Sequence, residues 1–302
     1  MTTTELTTME SPSTDVDWWY VRAYPGSAEA MDEATRLLVP WLRDQARKVE
    51  ADRWFFMRYF DMSGQHLRLR LRGSAAAVDR VQAGLGEVVA LLARVVDQPA
   101  RPRLIEGAAF GAMAGPRRVQ AGLYAPELAK YGGAAGAELA EQLFTESSGW
   151  YVKTDLAAYS PAFDRAALAL AYLSALLPAA LPGEGTPAFW RIHQLTWGLH
   201  LRMMLPTRTE MTDRLAVAAA GMAAADDLVR SFAGRIGEQV AQVVRTLDRA
   251  DALHLPVDRA HLLMHYLHMD LNRWGFMPAE ECLLGIAAAQ ALPLVRDKET
   301  HR

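Results

Sequence analysis

The most regular alternation of apolar and polar residues in the chain lies between Arg53 and Arg72, in two runs separated by Met62-Ser63-Gly64. In the second run Leu67, Leu69 and Leu71 take one parity, while His66, Arg68, Arg70 and Arg72 take the other. The period of two predicts a strand with one apolar and one densely cationic face. Like charges side by side on a strand repel, so this face needs compensation. In the first run Trp54, Phe56, Arg58 and Phe60 share one parity, and Phe55, Met57 and Tyr59 the other. A strand apolar on both faces predicts a central place in its sheet.

Aromatic Asp17–Tyr24 reads as an earlier strand, ended by the Pro25-Gly26 turn. Ser27 is placed to cap a helix to about Val49, with Met31, Leu38, Trp41 and Leu42 apolar and a kink or break at Pro40. After the strand pair, Ser74 caps a predicted helix from Ala75 to about Val96, with Val78, Val81, Leu85, Val88, Leu92 and Val95 on one face. A linker rich in Pro, Arg and Gly covers 97–117, and Val119–Tyr124 reads as a short strand. The order β-α-β-β-α-β is that of a ferredoxin-like split βαβ sheet. Its helices should cover the Leu67/Leu69/Leu71 side and leave the cationic side to solvent or a further layer.

Beyond Pro126 the pattern becomes helical, at about 134–147, 162–178, 187–204, 212–247, 257–274 and 279–296, with Trp150–Lys153 the one strand-like segment. The predicted fold class is therefore α+β. A ferredoxin-like region, residues 16–125, packs on a mainly helical region, 126–302, as one integrated domain, and the polar Thr/Ser-rich residues 1–15 form a disordered leader.

Composition narrows the function classes. A net charge of -3 gives no global basic field, so direct nucleic-acid binding is not expected and the cationic strand is a local feature. The single cysteine, Cys282, excludes an internal disulfide framework. With no signal-peptide pattern and no apolar run of the ~18 residues a membrane span needs, the chain reads as cytoplasmic and soluble.

Candidate chemistry concentrates in His261-Leu-Leu-Met-His265-Tyr-Leu-His268-Met-Asp-Leu-Asn272-Arg273, whose histidines and Asn272 share one helix face. With no glutamate beside the first histidine and no acidic third ligand, this is not a metal motif, and no cofactor is expected. A histidine facing arginines suits general acid/base work, because cationic neighbours keep it neutral at pH 7. His193 and His200, among Trp190, Trp197 and Met203, read as core packing, and Lys153 with Asp155 as a salt-bridged strand end. The glycine runs 107–115 and 132–136 lack P-loop or Rossmann context, no Gly-x-Ser-x-Gly elbow occurs, and Cys282 sits in an apolar helix.

Four ordered pieces resemble the C-terminal elimination domain of lantibiotic dehydratases and its stand-alone relatives in thiopeptide biosynthesis. They are Trp18–Tyr24; Trp54–Tyr59 with His66-Leu-Arg-Leu-Arg70; Tyr124–Gly133; and His268-Met-Asp-Leu-Asn-Arg273. The resemblance implies a lyase acting on a ribosomally made precursor peptide. A separate glutamyl-tRNA-dependent enzyme esterifies Ser or Thr with glutamate, and this protein eliminates the glutamate to leave dehydroalanine or dehydrobutyrine. By the family pattern His268 is the acid/base residue with Arg68 and Arg70 as anion site. Arg58, His66, Tyr124, Tyr266, His193, Asn272 and Arg273 are implied as substrate-binding, whereas Arg72, at the strand end, reads as solvated. One departure is Pro126, where the lantibiotic enzymes carry arginine. It keeps open a pyridine synthase of the same fold, performing a formal [4+2] cycloaddition of two dehydroalanines with Tyr266, His193 and the arginine wall. A non-catalytic leader-peptide-binding subunit is a third reading. Monomer and homodimer are both compatible with the sequence.

Overall fold

The protein is described by a computed structural model covering residues 16–96, 101–106, 115–183 and 185–299. The leader 1–15 and most of the glycine run 107–115 lie outside the described residues. Strands β1 (Val16–Tyr24), β2 (Arg53–Asp61), β3 (Gly64–Ser74) and β4 (Arg118–Ala121) form one sheet in the order β2-β3-β1-β4, every neighbour antiparallel.

Register sorts the side chains as the alternation requires. Leu67, Leu69 and Leu71 stand opposite Ala23, Val21 and Trp19 on one side and Arg58, Phe56 and Trp54 on the other. All three leucines are fully buried, each stabilising the fold by roughly 1.5–3 kcal/mol relative to exposure. Helices α1 (Met31–Lys48), α2 (Ala75–Ala83) and α3 (Leu85–Ala93) pack on this side, with Trp19 Nε1 donating to Gln82 Oε1 at 2.9 Å. Arg68 pairs with Arg22 and Met57, and Arg70 with Tyr20 and Phe55, on the opposite face. Arg58 is thus separated by the sheet from Arg68 and Arg70.

Several expectations change here. Strand β2 is not central: it is an edge strand, covered by helices α5 (Ala134–Lys153) and α10 (Arg259–Trp274). Its outward N–H groups at Trp54, Phe56 and Arg58 donate to Thr145 Oγ1 (3.2 Å), Ser148 Oγ (3.3 Å) and Asn272 Oδ1 (2.9 Å). An edge whose backbone is capped by side chains can be apolar on both faces without inviting another strand. The helix expected from Ala75 to Val96 breaks at Gly84 into α2 and α3. Trp150–Lys153 is the last turn of α5 rather than a strand, so Lys153 pairs with Glu238 at 2.9 Å and not with Asp155. Ser27 Oγ accepts from the Ala30 N–H at 3.2 Å, and α1 passes through Pro40 without ending.

The remaining helices are α4 (Leu128–Tyr131), α6 (Asp164–Ala180), α7 (Gly185–Met204), α8 (Arg208–Ala223), α9 (Asp226–Ala252) and α11 (Pro278–Glu299), with a single 3₁₀ turn at Leu156–Ala158. The predicted 212–247 helix is two, α8 and α9. The α9 stripe of Phe232, Ile236, Val243 and Leu247 is buried, as 3.6-residue spacing allows. Asp258 caps α10 by accepting from the His261 N–H at 2.7 Å, and Gly275 ends it at φ 94°. A side chain at Gly275 would also strike Arg165 and Arg58. Among the described residues no helix is long and apolar enough to cross a membrane.

Candidate functional site

A cavity of about 460 Å³ opens where the β2–β3 hairpin meets the start of α1, helix α7, the end of α10 and the start of α11. Its lining includes Asp32, Arg58, Tyr59, Gln65, Arg101, Arg103, His200, His268 and Asn272. The alternation that puts Arg58 on the leucine face, away from Arg68 and Arg70, also puts it here.

His268 is braced on two sides. Its Nδ1 lies 2.7 Å from Glu281 Oε2, and its ring stacks on Trp197 of α7 at 4.4 Å and 22°. Glu281 is enclosed at 1% exposure and also faces His193 Nε2 from Oε1 at 3.5 Å. Burial pushes the Glu281 carboxyl up, but the two imidazoles more than offset this and hold it below the usual range. An ionised carboxylate only accepts hydrogen bonds, so the proton between the two groups belongs to His268 Nδ1. This leaves Nε2 as the basic nitrogen of a side chain that lines the cavity.

On the α1 side Asp32 binds two guanidiniums, Arg58 at 2.7 Å and Arg165 through both of its oxygens. Burial opposes ionisation, yet the two cations keep the Asp32 carboxyl far below the ordinary carboxylate range. Arg58 also donates to Tyr151 Oη at 3.0 Å and to the Arg273 carbonyl at 3.2 Å. Asn272 clamps the Arg58 backbone, accepting its N–H and donating Nδ2 to its carbonyl at 2.8 Å. Asn272 therefore serves the strand edge as well as the cavity wall. Arg103 pairs with Glu280, and Arg101 donates to the Ala157 carbonyl at 3.1 Å.

The other sequence-predicted residues lie on the opposite face of the sheet. Arg70 is buried among the rings of Tyr20 (4.9 Å), Tyr124 (4.7 Å) and Phe55 (5.2 Å), and burial lowers its pKa. Arg68 lies over the Tyr59 ring at 3.3 Å, and Tyr59 in turn forms part of the cavity wall. His66 is buried between Tyr24 and Tyr59, and burial pushes its pKa down to about 4. Tyr124 donates to Glu141 Oε1 at 2.7 Å. Arg72 is not solvated: it pairs with Asp52, Glu138 and Glu141. Tyr266 stacks on Tyr131 at 6.0 Å, and Arg273 is buried against Asp270 (3.2 Å) and Phe144, where burial brings it down to about 10.

Thus His268, Arg58 and Asn272 share the cavity, with His193 behind it. Arg68, Arg70, His66, Tyr124, Tyr266 and Arg273 are not among its lining residues. Of the three histidines on α10 His268 alone lines the cavity: the His261 and His265 rings meet each other at 4.5 Å, His261 also meets the Lys130 carbonyl at 3.0 Å, and burial lowers His265 to about 4. His200, read as core from sequence, is an exposed cavity-lining residue, whereas His193 is buried as expected. Sequence reading missed Glu281, Asp32, Trp197, Arg101 and Arg103. For Glu281 a signal existed, a carboxylate directly before the apolar run Cys282-Leu-Leu.

The chain belongs to the family of lantibiotic biosynthesis dehydratase C-terminal domains, matched over residues 18–292. Three solved structures share its fold. The tRNA-dependent lantibiotic dehydratase MibB from Microbispora sp. 107891 is 21% identical with a TM-score of 0.57, over 98% of this chain and 29% of MibB. TsrL is 16% identical at TM-score 0.54, over 93% of this chain and 96% of TsrL. TbtD, the pyridine synthase from thiomuracin biosynthesis, is 18% identical at 0.55, over 91% of this chain and 97% of TbtD. The chain thus spans under a third of the length of MibB. No curated protein matches it.

Proposed function

We propose that the protein is the glutamate-eliminating lyase of a split dehydratase, acting on a ribosomal precursor peptide whose Ser or Thr side chains a separate enzyme has glutamylated. The carrying observation is the cavity that joins a carboxylate-braced imidazole, His268, to the guanidiniums of Arg58, Arg101 and Arg103. His268 Nε2 takes the Cα proton, and the C–H electron pair passes through an enolate into the Cα=Cβ bond. The Cβ–O bond breaks with its electron pair leaving on the glutamate carboxylate, and His268 later gives its proton to solvent. Arginines at the cavity offset the charge on the enolate and bind the departing glutamate. Arg68 acts from behind Tyr59, and Arg70 from farther off, on the opposite face of the sheet.

The order β2-β3-β1-β4 supports reading residues 16–125 as ferredoxin-like. The bonds from Thr145, Ser148 and Asn272 to the β2 edge support one integrated domain with 126–302. Incubation with a glutamylated precursor tests the function, the expected products being free glutamate and dehydro residues by mass spectrometry. A pyridine synthase is the second reading, favoured by Pro126 and by near-complete coverage of a chain the size of TbtD. No glutamate release, together with ring formation from a precursor already bearing dehydroalanines, decides for it. Binding without either reaction leaves the leader-binding subunit.

A further inference from the structure

Behind His268 lies a polar assembly that none of the cavity contacts requires. Glu281 is buried with one oxygen on His268 Nδ1 and the other facing His193 Nε2. His193 is itself fully buried, and neither its ring nitrogens nor Glu281 Oε1, which its Nε2 faces at 3.5 Å, has a hydrogen-bond partner. Room for it is specific: a Cβ at Gly285, one turn beyond Glu281 on α11, would lie 2.5 Å from His193 Cε1 and 2.6 Å from Nδ1. A core glutamate flanked by two imidazoles is costly to bury, and an apolar side chain would pack here at no such cost.

We propose that Glu281 is a positioning residue for His268, fixing its neutral form as the Nδ1–H tautomer so that Nε2 is the proton acceptor, and that His193 holds the second Glu281 oxygen. A carboxylate on the far nitrogen of a histidine fixes both tautomer and ring orientation. The stacked Trp197 ring holds the imidazole plane from the side. When His268 takes a proton at Nε2, the imidazolium stands against an existing anion, so no buried positive charge is left uncompensated. The other charged or titratable groups around His268 are Asp32 of α1 and Glu29 just before it, Arg58 and Tyr59 of β2, Arg101 and Arg103, His200 of α7, and His265 one turn earlier on α10. Among the described residues none of these groups hydrogen-bonds the His268 ring, whereas Glu281 does.

The assignment rests on the elimination reading for its catalytic meaning, but its first test does not. In the intact wild-type protein, ¹⁵N-resolved imidazole spectra should show neutral His268 protonated at Nδ1. A dominant Nε2–H form overturns the proposal, whether or not the protein eliminates glutamate. If it releases no glutamate at all, the function fails while this measurement still decides the tautomer. Glu281→Gln should then lower kcat by ~100-fold or more with KM changed less than about threefold, and shift the acidic limb of the rate–pH profile. Equal losses in kcat and in folded fraction, with the profile unmoved, assign Glu281 to packing and overturn the proposal. Gly285→Ala, which crowds His193 without touching the cavity lining, should lower kcat by about tenfold, and an unchanged rate removes His193 from the assembly.

Discussion

The two polar regions beside the β2–β3 hairpin compensate their charge in opposite ways. In the cavity, charges meet charges: Asp32 between Arg58 and Arg165, Glu281 between His268 and His193, Arg103 on Glu280. On the cationic face of β3 Arg72 pairs with carboxylates and His66 lies 3.9 Å from Asp61, while Arg70 and Arg68 lie against aromatic rings. Opposed charges in an enclosed site are preorganised and leave an imidazole of defined tautomer, which is what proton transfer needs. Guanidiniums held by rings keep N–H donors to spare, as the unpartnered buried Nε atoms of Arg68 and Arg70 record. One region sets charges against charges around an imidazole, the other sets guanidiniums against rings.

The comparison is broken most directly by exchanging the expected severities. His268→Ala should lower glutamate release by ~1,000-fold, within the range of general acid/base effects, and accumulate glutamylated peptide. Arg70→Met should cost less than tenfold in kcat. If the order reverses, the reacting atoms sit on the sheet face and not in the cavity.

Next in size is the stability of the cavity floor. Asp32→Asn leaves Arg165, which is 0% exposed, and Arg58 without their shared anion, and should destabilise by about 3–5 kcal/mol in urea unfolding. Because the folded pKa of Asp32 is depressed, its contribution is complete above the unfolded value near ~3.9 and is lost as pH falls below it. An unchanged urea midpoint between pH 6 and pH 3, relative to Asp32→Asn, would contradict the ion network.

The sheet face has its own pH signature. His66 stays neutral when folded, with a pKa near 4 set mainly by burial, against about 6.5 unfolded. The unfolded chain therefore binds more protons between these values. Stability is complete above about 6.5 and falls by about 3 kcal/mol as pH drops toward 4. Because His265 is lowered to about 4 as well, His66→Phe should remove about half of the total slope, and a slope that does not change would contradict the burial of a neutral His66.

How far these two regions could be read from sequence depended on the range of the interactions that form them. Period two in β3 put Leu67 and Arg68 on opposite faces, but setting Arg58 of β2 apart from Arg68 and Arg70 needed the register of the hairpin, which pairs Arg58 with Leu67. What local pattern could not reveal was the company each face keeps. Nothing near Trp54 signals that Thr145, Ser148 and Asn272 cap its strand, so apolar content on both faces read as a central strand. Asp32 and Arg165 lie 133 positions apart, and Glu281 follows His268 across a helix boundary. Their pairing is a property of packing, not of spacing. His268, Arg58 and Asn272 were legible by residue type, while their split from Arg68, Arg70, Tyr124, Tyr266 and Arg273 was not.

Smaller effects test the edge and the rings. Asn272→Ala removes both hydrogen bonds to the Arg58 backbone and should cost about 1–3 kcal/mol, with faster amide exchange at Arg58. Smallest should be the stability change at Arg70. Replacing it with Met gives up cation–π contacts with Tyr20, Tyr124 and Phe55, worth about 2 kcal/mol together when desolvated. It also relieves the burial of a guanidinium that no carboxylate among the described residues pairs with directly, and the two terms oppose one another. The net change should lie within about 1 kcal/mol of zero. Arg72→Met leaves buried Glu141 with the Tyr124 hydroxyl alone, and Asp52 and Glu138 with Arg53, so it should cost about 1–3 kcal/mol. Adjacent arginines on one strand face, differing only in whether carboxylates or rings surround them, should thus separate in urea midpoint. Equal losses at both positions would mean that Arg70 has an anionic partner after all, and the contrast between cavity and sheet would shrink to one of geometry.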